Sequence, residues 1–257
     1  MRSPGIAALL MVAVLGANTL VAGEEKKAAV EPAKVSAPPE PEGMVRIFNA
    51  KDLTDWDGDP NLWSVKDGAI RGETTQEHPT KGNTFLIWKG GEVKDLELRL
   101  SYRMKMGNSG VQYRSRHVKE AKGNAWVVSG YQAETANEPG RAGFLYHEGG
   151  RGRICLVGQK VVMQSDGKPK VVGSVGDPKA IAATYKLNDW NDHIIIAKGN
   201  HLVHYLNGVQ TIDLTDDDEK GRLMSGIIAL QIHAGAPMWV EFKDIRLKKY
   251  EAVEAKP

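Results

Sequence analysis

The sequence contains a single cysteine, Cys155, so the chain cannot form an intrachain disulfide. The fold must therefore rest on its hydrophobic core alone. Cys155 lies between Ile154 and Leu156 in an apolar segment, which predicts a small buried hydrophobic side chain and not a reactive thiol. The 41% of hydrophobic and 26% of charged residues are the proportions of an ordinary globular protein.

Neither sign of charge dominates the chain. The 34 Lys and Arg residues oppose 32 Asp and Glu residues, which gives a formal net charge of +2. The basic residues are scattered among acidic ones, whereas a nucleic-acid-binding surface collects them in a patch or stripe. We therefore expect no nucleic-acid partner.

Long apolar runs are scarce as well. The run at residues 6–15 follows a positive start and precedes small residues, with Ala22-Gly23 as a cleavage point. It is shorter than the roughly 20 residues that a membrane-spanning helix needs. We expect residues 1–23 to be a signal peptide for the periplasm or the exterior, with no stable membrane span after cleavage and an uncleaved anchor as the alternative. No cysteine follows that could accept a lipoprotein anchor.

The next segment, residues 24–42, is rich in Glu, Lys, Ala and Pro. Such a composition cannot bury enough apolar surface to offset the entropy of ordering, so it predicts a disordered linker. The folded domain is expected at residues 43–250, followed by a C-terminal tail at residues 251–257.

From residue 43 onward the pattern is typical of short β-strands joined by turns. Asp67-Gly68 and Asn207-Gly208 are hairpin signals. The clearest alternation places five apolar side chains on one face of a strand and charged ones on a solvated outer face; the apolar ones are Leu96, Leu98, Leu100, Tyr102 and Met104. About a dozen such strands predict a single all-β domain, an antiparallel sandwich or barrel.

Three segments fit this pattern less well. Residues 164–186 are rich in Gly, Lys and Pro, which predicts a surface excursion. Residues 216–224 are the one stretch compatible with a helix. The glycine-rich run at residues 149–153 lacks the strand–glycine–helix context of a phosphate-binding loop, so we assign it to a plain loop.

Polar pairs two residues apart interrupt the apolar alternation on three strands. Successive side chains of a strand point to opposite faces, so the members of each pair share a face. The pairs are Gln112 with Arg114, Gln132 with Glu134, and Gln231 with His233. Together they predict one polar sheet surface, which is the candidate site.

The order and spacing of many segments resemble the bacterial 3-keto-disaccharide hydrolase domain family, which has a concanavalin A-like lectin/glucanase sandwich of jelly-roll type. The resemblance covers nearly all of residues 43–250. The matching segments are FNAKDLTDW (48–56), WSVKDGAI (63–70), DLELRLSYR (95–103), GNSGV (107–111), GYQAE (130–134), WN (190–191), HYLNG (204–208), GIIALQIHAG (226–235) and FKDIRL (242–247). One departure concerns chemistry, because the family shows Tyr-Glu-x-Gln where this chain has Tyr131-Gln-Ala-Glu134.

This resemblance implies an oligosaccharide or other glycoside substrate whose sugar is a ketone at C3. The C3 carbonyl acidifies the C2 proton, so a base can start an elimination that expels the C1 substituent, and water can then add. Ordinary glycosidases need two carboxylates across the bond. The polar surface contains one carboxylate, Glu134, which fits elimination better.

The expected roles follow from this chemistry. Glu134, His233 and Arg114 are the candidate catalytic residues, with Arg114 as a clamp on the enolate or a hydroxyl. Substrate binding is expected from six further residues: Asn108, Gln112, Gln132, Trp126, Tyr146 and Gln231. The resemblance also implies a divalent metal ion as a candidate cofactor, which Glu134 and His233 would ligate.

Each assignment has a structural alternative. Glu134 and Arg114 could form a buried ion pair, and His233 could be a rim residue satisfied by the backbone. His193 is expected in the scaffold, whereas His204 is open between a scaffold position and a catalytic role. At the level of function, the alternative is a carbohydrate-binding module on the same sandwich, without catalysis, because lectins and hydrolases share this fold.

Overall fold

The computed structural model of the protein describes Met1, residues 35–119 and residues 123–250. The C-terminal tail, the predicted signal peptide apart from Met1, and residues 24–34 of the predicted linker lie outside the described residues, so those predictions remain untested. Among the helices of the described part, none is both long enough and apolar enough to span a membrane.

The described residues form seventeen strands and one short helix. In chain order these are β1 (Val45–Arg46), β2 (Trp56–Asp57), β3 (Trp63–Lys66), β4 (Ala69–Glu73), β5 (Thr84–Trp88), β6 (Asp95–Lys105), β7 (Asn108–His117), β8 (Val128–Ala136), β9 (Leu145–Glu148), β10 (Gly152–Cys155), β11 (Gln159–Met163), β12 (Pro169–Ser174), α1 (Pro178–Ala182), β13 (Asn191–Lys198), β14 (His201–Leu206), β15 (Val209–Asp216), β16 (Ile227–Ile232) and β17 (Trp239–Tyr250).

These strands make two sheets that face each other. The ten-stranded sheet has the order β12-β11-β15-β14-β13-β6-β17-β4-β3, with β1 paired to β17, and the seven-stranded sheet has the order β10-β9-β8-β7-β16-β5-β2. The predicted antiparallel sandwich is confirmed. The parallel pairing of β11 with β15 is the one departure among the described pairs, and the long connection through β12 to β14 permits it.

The core lies between the sheets and follows the predicted alternation. The five inward side chains of β6, from Leu96 to Met104, are at most 3% exposed and pack with residues of the other sheet such as Val111 and Leu230. Cys155 belongs to the same core, as predicted, and burial raises the pKa of its thiol to about 12.

The outer face of β6 differs from the prediction, because residues 35–42 lie against this sheet. Ser36 forms a β-bridge with Val209, and the guanidinium of Arg99 donates to the carbonyls of Pro38 and Pro39 at 2.9 and 2.8 Å. Arg99 is therefore buried and not solvated. Proline lacks an N–H but keeps its carbonyl acceptor, so residues 35–42 of this proline-rich segment satisfy a buried cation.

One further prediction is confirmed and one is wrong. Residues 164–186 run over the surface as predicted, with all six residues of β12 exposed, and they also contain α1, whose N-cap Asp177 accepts from the N–H of Lys179 at 3.0 Å. Residues 216–224 form turns after β15 instead of a helix. Both hairpin signals are confirmed, with Asp67 and Asn207 at φ of 50° and 47° before their glycines.

Candidate functional site

The polar side chains of β8 point to the face of the seven-stranded sheet that is turned away from the core. Tyr131 and Ala133 belong to the core, so Gln132 and Glu134 lie on the opposite face. A cavity of about 230 Å³ opens there, lined by Asn83, Asn108, Gln132, Glu134, Arg141, Phe144, Tyr146, Glu148, Arg153 and His233. We call it the polar cavity.

Glu134 is the most deeply placed carboxyl of the polar cavity, with 3% of its surface exposed. Its Oε2 accepts from Nε2 of Gln132 at 2.8 Å, and its Oε1 accepts from Arg141 at 3.2 Å. Burial raises the pKa of Glu134 to about 7 although both partners act in the opposite direction, and the charge of Glu148 adds to the rise. At neutral pH this carboxyl is thus poised between donating and accepting a proton.

A chain of side-chain hydrogen bonds fixes Glu134 from below. Ser115 Oγ donates to Gln112 Oε1 at 2.8 Å, Gln112 Nε2 donates to Gln132 Oε1 at 2.6 Å, and Gln132 donates to Glu134. A Cβ at Gly110 would lie 2.7 Å from Nε2 of Gln132, so glycine on the neighbouring strand makes room for this amide. The chain sets the orientation of both amides and holds the carboxyl in place.

A second carboxylate, Glu148, lines the polar cavity from the end of β9. Its Oε1 accepts from Nδ2 of Asn83 at 3.1 Å, and its Oε2 accepts from Nε2 of Gln231 at 3.0 Å. Both oxygens are therefore acceptors for neutral amides. The expectation that Glu134 would be the one carboxylate of the surface is wrong, because β9 brings Glu148 to the same face as β8.

Two guanidinium groups complete the wall. Arg141, from the loop after β8, contacts Glu134 and also Glu138, the latter at 3.6 Å. Arg153, on β10, lies with its guanidinium carbon 5.9 Å from the ring centre of Phe144. Nε of Arg141 and Oδ1 of Asn108 are buried without a hydrogen-bond partner in the described structure. The site thus combines positive charge with polar atoms that a ligand could satisfy.

His233 lies just beyond β16 and lines the polar cavity, as the sequence predicted. Its Nδ1 is 2.6 Å from the carbonyl oxygen of Ala234, which fits Nδ1–H as the donor. With Nδ1 committed to that carbonyl, Nε2 is the nitrogen left to exchange a proton with a ligand.

Arg114 does not belong to the polar cavity. The β7–β8 register shifts between Tyr113 and Arg116, and Arg114 has a φ of 49°, so a β-bulge ends the period-two alternation that placed it beside Gln112. Its side chain is buried and donates to the carbonyls of Lys94, Gly199 and Leu223 and to Asp95. The ion pair of Arg114 is with Asp95, and the partner of Glu134 is Arg141 instead.

The six predicted binding residues divide into three groups. Asn108, Gln132 and Tyr146 line the polar cavity. Gln112 and Gln231 lie fully buried and support Gln132 and Glu148. Trp126 is elsewhere: it covers an apolar cluster of β5 residues, and its indole N–H donates to Asp57 at 3.0 Å, so it is a packing residue. His193 and His204 are both buried, as expected for a scaffold position.

The predicted metal pair of Glu134 and His233 finds little support in this donor set. Within the described residues no group of three or more His, Cys, Asp and Glu side chains could hold a metal ion. Glu134 already accepts from Arg141 and Gln132, and a guanidinium beside a carboxylate competes with a cation. The residues present do not fit a divalent site with several protein ligands.

Sequence reasoning missed the residues that loops and short strands contribute, which are Asn83, Arg141, Phe144, Glu148 and Arg153. The strand β9 has only four residues, which is too few for alternation to predict which side chains face the site. The run at residues 149–153, which contains Arg153, is predicted to be a plain loop. The signal that could have found them is the density of charged residues between 138 and 153, next to the strand that carries Glu134.

Residues 43–248 match the model of the 3-keto-alpha-glucoside-1,2-lyase-like domain. The chain belongs to this family. The match covers most of the chain, and it includes the strands that carry Glu134 and His233. None of the curated proteins compared with the chain is significantly similar to it in sequence.

Solved structures similar to this lyase-like domain share its fold. A candidate glycosyl hydrolase from Parabacteroides distasonis is 19% identical, with a TM-score of 0.51, over 80% of this chain and 99% of the other. A protein of unknown function with a galectin-like fold from Bacillus subtilis is 10% identical, with a TM-score of 0.52, over 77% of this chain and 90% of the other. At these identities the likeness shows the fold alone, and it agrees with the predicted concanavalin A-like sandwich.

Proposed function

We propose that this protein breaks the glycosidic bond of 3-keto-glycosides by elimination. The observation that carries the proposal is a carboxyl with a pKa of about 7, Glu134, beside the guanidinium groups of Arg141 and Arg153 in one small cavity. The carboxyl supplies a base, and the guanidinium groups suit the negative charge that proton removal next to a ketone creates. The family name is consistent with this chemistry.

The reaction begins at C2 of the sugar. Glu134 accepts the C2 proton, and the electron pair moves onto the C3 oxygen as an enolate that the guanidinium groups stabilise. The C3 carbonyl then reforms as the C1–O bond breaks, and the leaving oxygen takes the Nε2 proton of a doubly protonated His233, which is left as the neutral ring with its Nδ1–H still on the Ala234 carbonyl. The product has a double bond between C1 and C2, and water adding across that bond gives net hydrolysis.

The charge of the site argues against an ordinary glycosidase mechanism. That mechanism passes through a positively charged, oxocarbenium-like transition state between two carboxyl groups, one of which donates a proton. Here Glu148 accepts hydrogen bonds at both oxygens, and Arg141 and Arg153 would oppose a developing positive charge. An anionic transition state fits the same groups better.

The deciding experiment follows cleavage of a 3-keto-glycoside by the wild type and by Glu134→Gln. We expect Glu134→Gln to lower kcat by at least about a hundredfold, because the base is lost while the hydrogen-bond geometry is largely kept. The matched control is Glu138→Gln, which removes a carboxylate from the exposed side of Arg141 and should retain activity.

Three outcomes separate the alternatives. Full activity in Glu134→Gln would refute the assigned base. Binding of the glycoside without cleavage by the wild type would instead identify a carbohydrate-binding module. A parallel reaction with a chelator tests the predicted metal, and we expect the chelator to leave the rate unchanged, because the donor set does not fit a divalent ion.

A further inference from the structure

A second cavity lies next to the polar cavity and shares its wall. It has a volume of about 640 Å³, nearly three times that of the polar cavity, and Arg141, Phe144 and Arg153 line both. The two spaces are therefore neighbours across three side chains. If a ligand is bound at Glu134, its substituent on the side of the shared wall would extend into the larger cavity.

Large apolar side chains in this second cavity are unusually exposed to solvent. Leu156 and Val171 line it and are 45% and 56% exposed, whereas most large hydrophobic side chains of the described chain are buried. Gly158 lies at its base, where a Cβ would come within 2.7 Å of the Pro178 ring. Exposed apolar side chains gathered around a concavity mark a site for an apolar ligand.

Two polar side chains of the second cavity, Ser174 and Gln159, already have hydrogen-bond partners within the protein. Ser174 Oγ is 2.9 Å from the carbonyls of both Gly158 and Gly176 and can donate to either, and Gln159 Oε1 accepts from the N–H of Leu156 at 2.9 Å. A second sugar presents several hydroxyl groups, each of which needs a partner once buried. Apart from the two arginines of the shared wall, the lining therefore offers few partners to a second sugar, and its exposed side chains Leu156 and Val171 are apolar.

The shared wall favours flat aromatic groups instead. The guanidinium of Arg153 lies 5.9 Å from the ring centre of Phe144, which shows that this wall already accommodates stacking of a cation on a ring. Guanidinium planes and aromatic edges of this kind accept an aromatic ligand through cation–π and stacking contacts.

We propose that the second cavity binds the leaving group of the substrate, and that this group is an aromatic or fused-ring alcohol. The inference rests on the proposed function, because the sugar must lie in the polar cavity for its C1 substituent to enter this one. It names the substrate class as 3-keto-glycosides of aromatic alcohols in preference to 3-keto-disaccharides.

The test compares three substrates with alkoxide leaving groups: methyl 3-keto-glucoside, a 3-keto-glucosyl disaccharide and 2-naphthylmethyl 3-keto-glucoside. Alkoxide leaving groups keep the chemistry similar, so differences in kcat/KM report binding of the C1 substituent. We expect kcat/KM for the naphthylmethyl compound to exceed kcat/KM for each of the other two by about tenfold or more. A preference for the disaccharide would overturn the proposal.

Variants then locate the preference. Leu156→Asn and Val171→Asn should each reduce the naphthylmethyl-to-methyl ratio of kcat/KM by about fivefold, because an exposed position tolerates Asn and only the apolar contact is lost. The matched control is Val172→Asn, which changes an equally exposed neighbour on β12 outside the cavity lining and should leave the ratio unchanged. Equal loss in Val171→Asn and Val172→Asn would refute the assigned cavity.

The proposed leaving-group site and the proposed reaction can be refuted independently of each other. If no 3-keto-glycoside is cleaved, calorimetric titration with 2-naphthylmethyl glucoside still measures the second cavity directly. Affinity that falls in Val171→Asn but not in Val172→Asn would support the apolar site even though the proposed reaction is wrong. Absence of binding by the wild type would refute the apolar site as well.

Discussion

Glu134 derives its chemical character from residues on other parts of the chain. The strand β8 decides only which way the side chain points. Burial on the sheet face raises its pKa, Glu148 from β9 adds to that rise, and Arg141 from the following loop partly offsets it. A residue of the same type at an open position of the sheet would titrate near its ordinary value and be a poor base at neutral pH.

The pH dependence of the reaction follows from this pKa. Only ionised Glu134 accepts the C2 proton, so the acid limb of the kcat/KM profile should rise with pH through a midpoint of about 7. Glu148→Gln removes a like charge that raises the pKa of Glu134, so the midpoint should move to lower pH. A pH–rate profile of both proteins checks this, with Glu138→Gln as the control.

A midpoint near 4.5 in the wild type, the ordinary value for a glutamate, would contradict the environment described for Glu134. A midpoint that does not move in Glu148→Gln would show that the two carboxylates do not interact. The first result would leave Glu134 without the property that makes it a base, whereas the second would assign its raised pKa to burial alone.

At the scale of the element, β7 shows that period-two alternation no longer predicts the direction of a side chain once a bulge interrupts the strand. Period two correctly placed Gln132 with Glu134 on one face of β8, and it fails for Gln112 with Arg114 because one strand carries a bulge. Gly130 and Gly226 flank the bulge at distances that leave no room for a Cβ beside Ser115 and Arg114. A bulge depends on both neighbouring strands, so the sequence of β7 alone does not reveal it.

Arg114→Lys distinguishes a structural from a catalytic arginine. A lysine cannot replace a guanidinium that donates at once to Lys94 O, Gly199 O and Asp95, so we expect the free energy of unfolding to fall by about 3 kcal/mol. The pH midpoint of kcat/KM in the folded variant should stay that of the wild type. Chemical denaturation and the pH profile check the two statements.

Unchanged stability of Arg114→Lys together with a large loss of kcat would instead support a catalytic role for Arg114. The guanidinium is buried, and none of its hydrogen-bond partners lines the polar cavity, which argues against that pattern.

At the scale of the whole molecule, the sandwich was predictable and the site was predictable in part. Alternation such as that of β6, turn pairs such as Asn207-Gly208 and the family resemblance all reflect local sequence. Asn83 reaches the site only because β5 lies in one sheet with β8, although a long stretch of chain separates the two, and Glu148 and Arg153 reach it because β9 and β10 fold back beside β8. Strand order is a long-range property, so these members of the site could not be predicted from spacing alone.

The extent of the folded unit gives a prediction at this scale. A chain shortened to begin at Gly43 loses the proline carbonyls that receive Arg99 and the ion pair of Glu40 with Arg246. We expect its free energy of unfolding to fall by about 2 kcal/mol relative to a chain that begins at Val35, mainly because Arg99 is left with unsatisfied donors. Equal unfolding curves for the two chains would show that residues 35–42 contribute no stability.

The position of β12 at the edge of its sheet has an evolutionary consequence. This strand pairs with β11 alone and all six of its residues are exposed, whereas β8 is held between two neighbours and entirely buried. Mutations in β12 therefore cost the fold little, and mutations around Glu134 cost it much. A lineage could change the shape of the wall that Val171 helps to form, and with it the range of compounds accepted, while the machinery that breaks the bond stays the same.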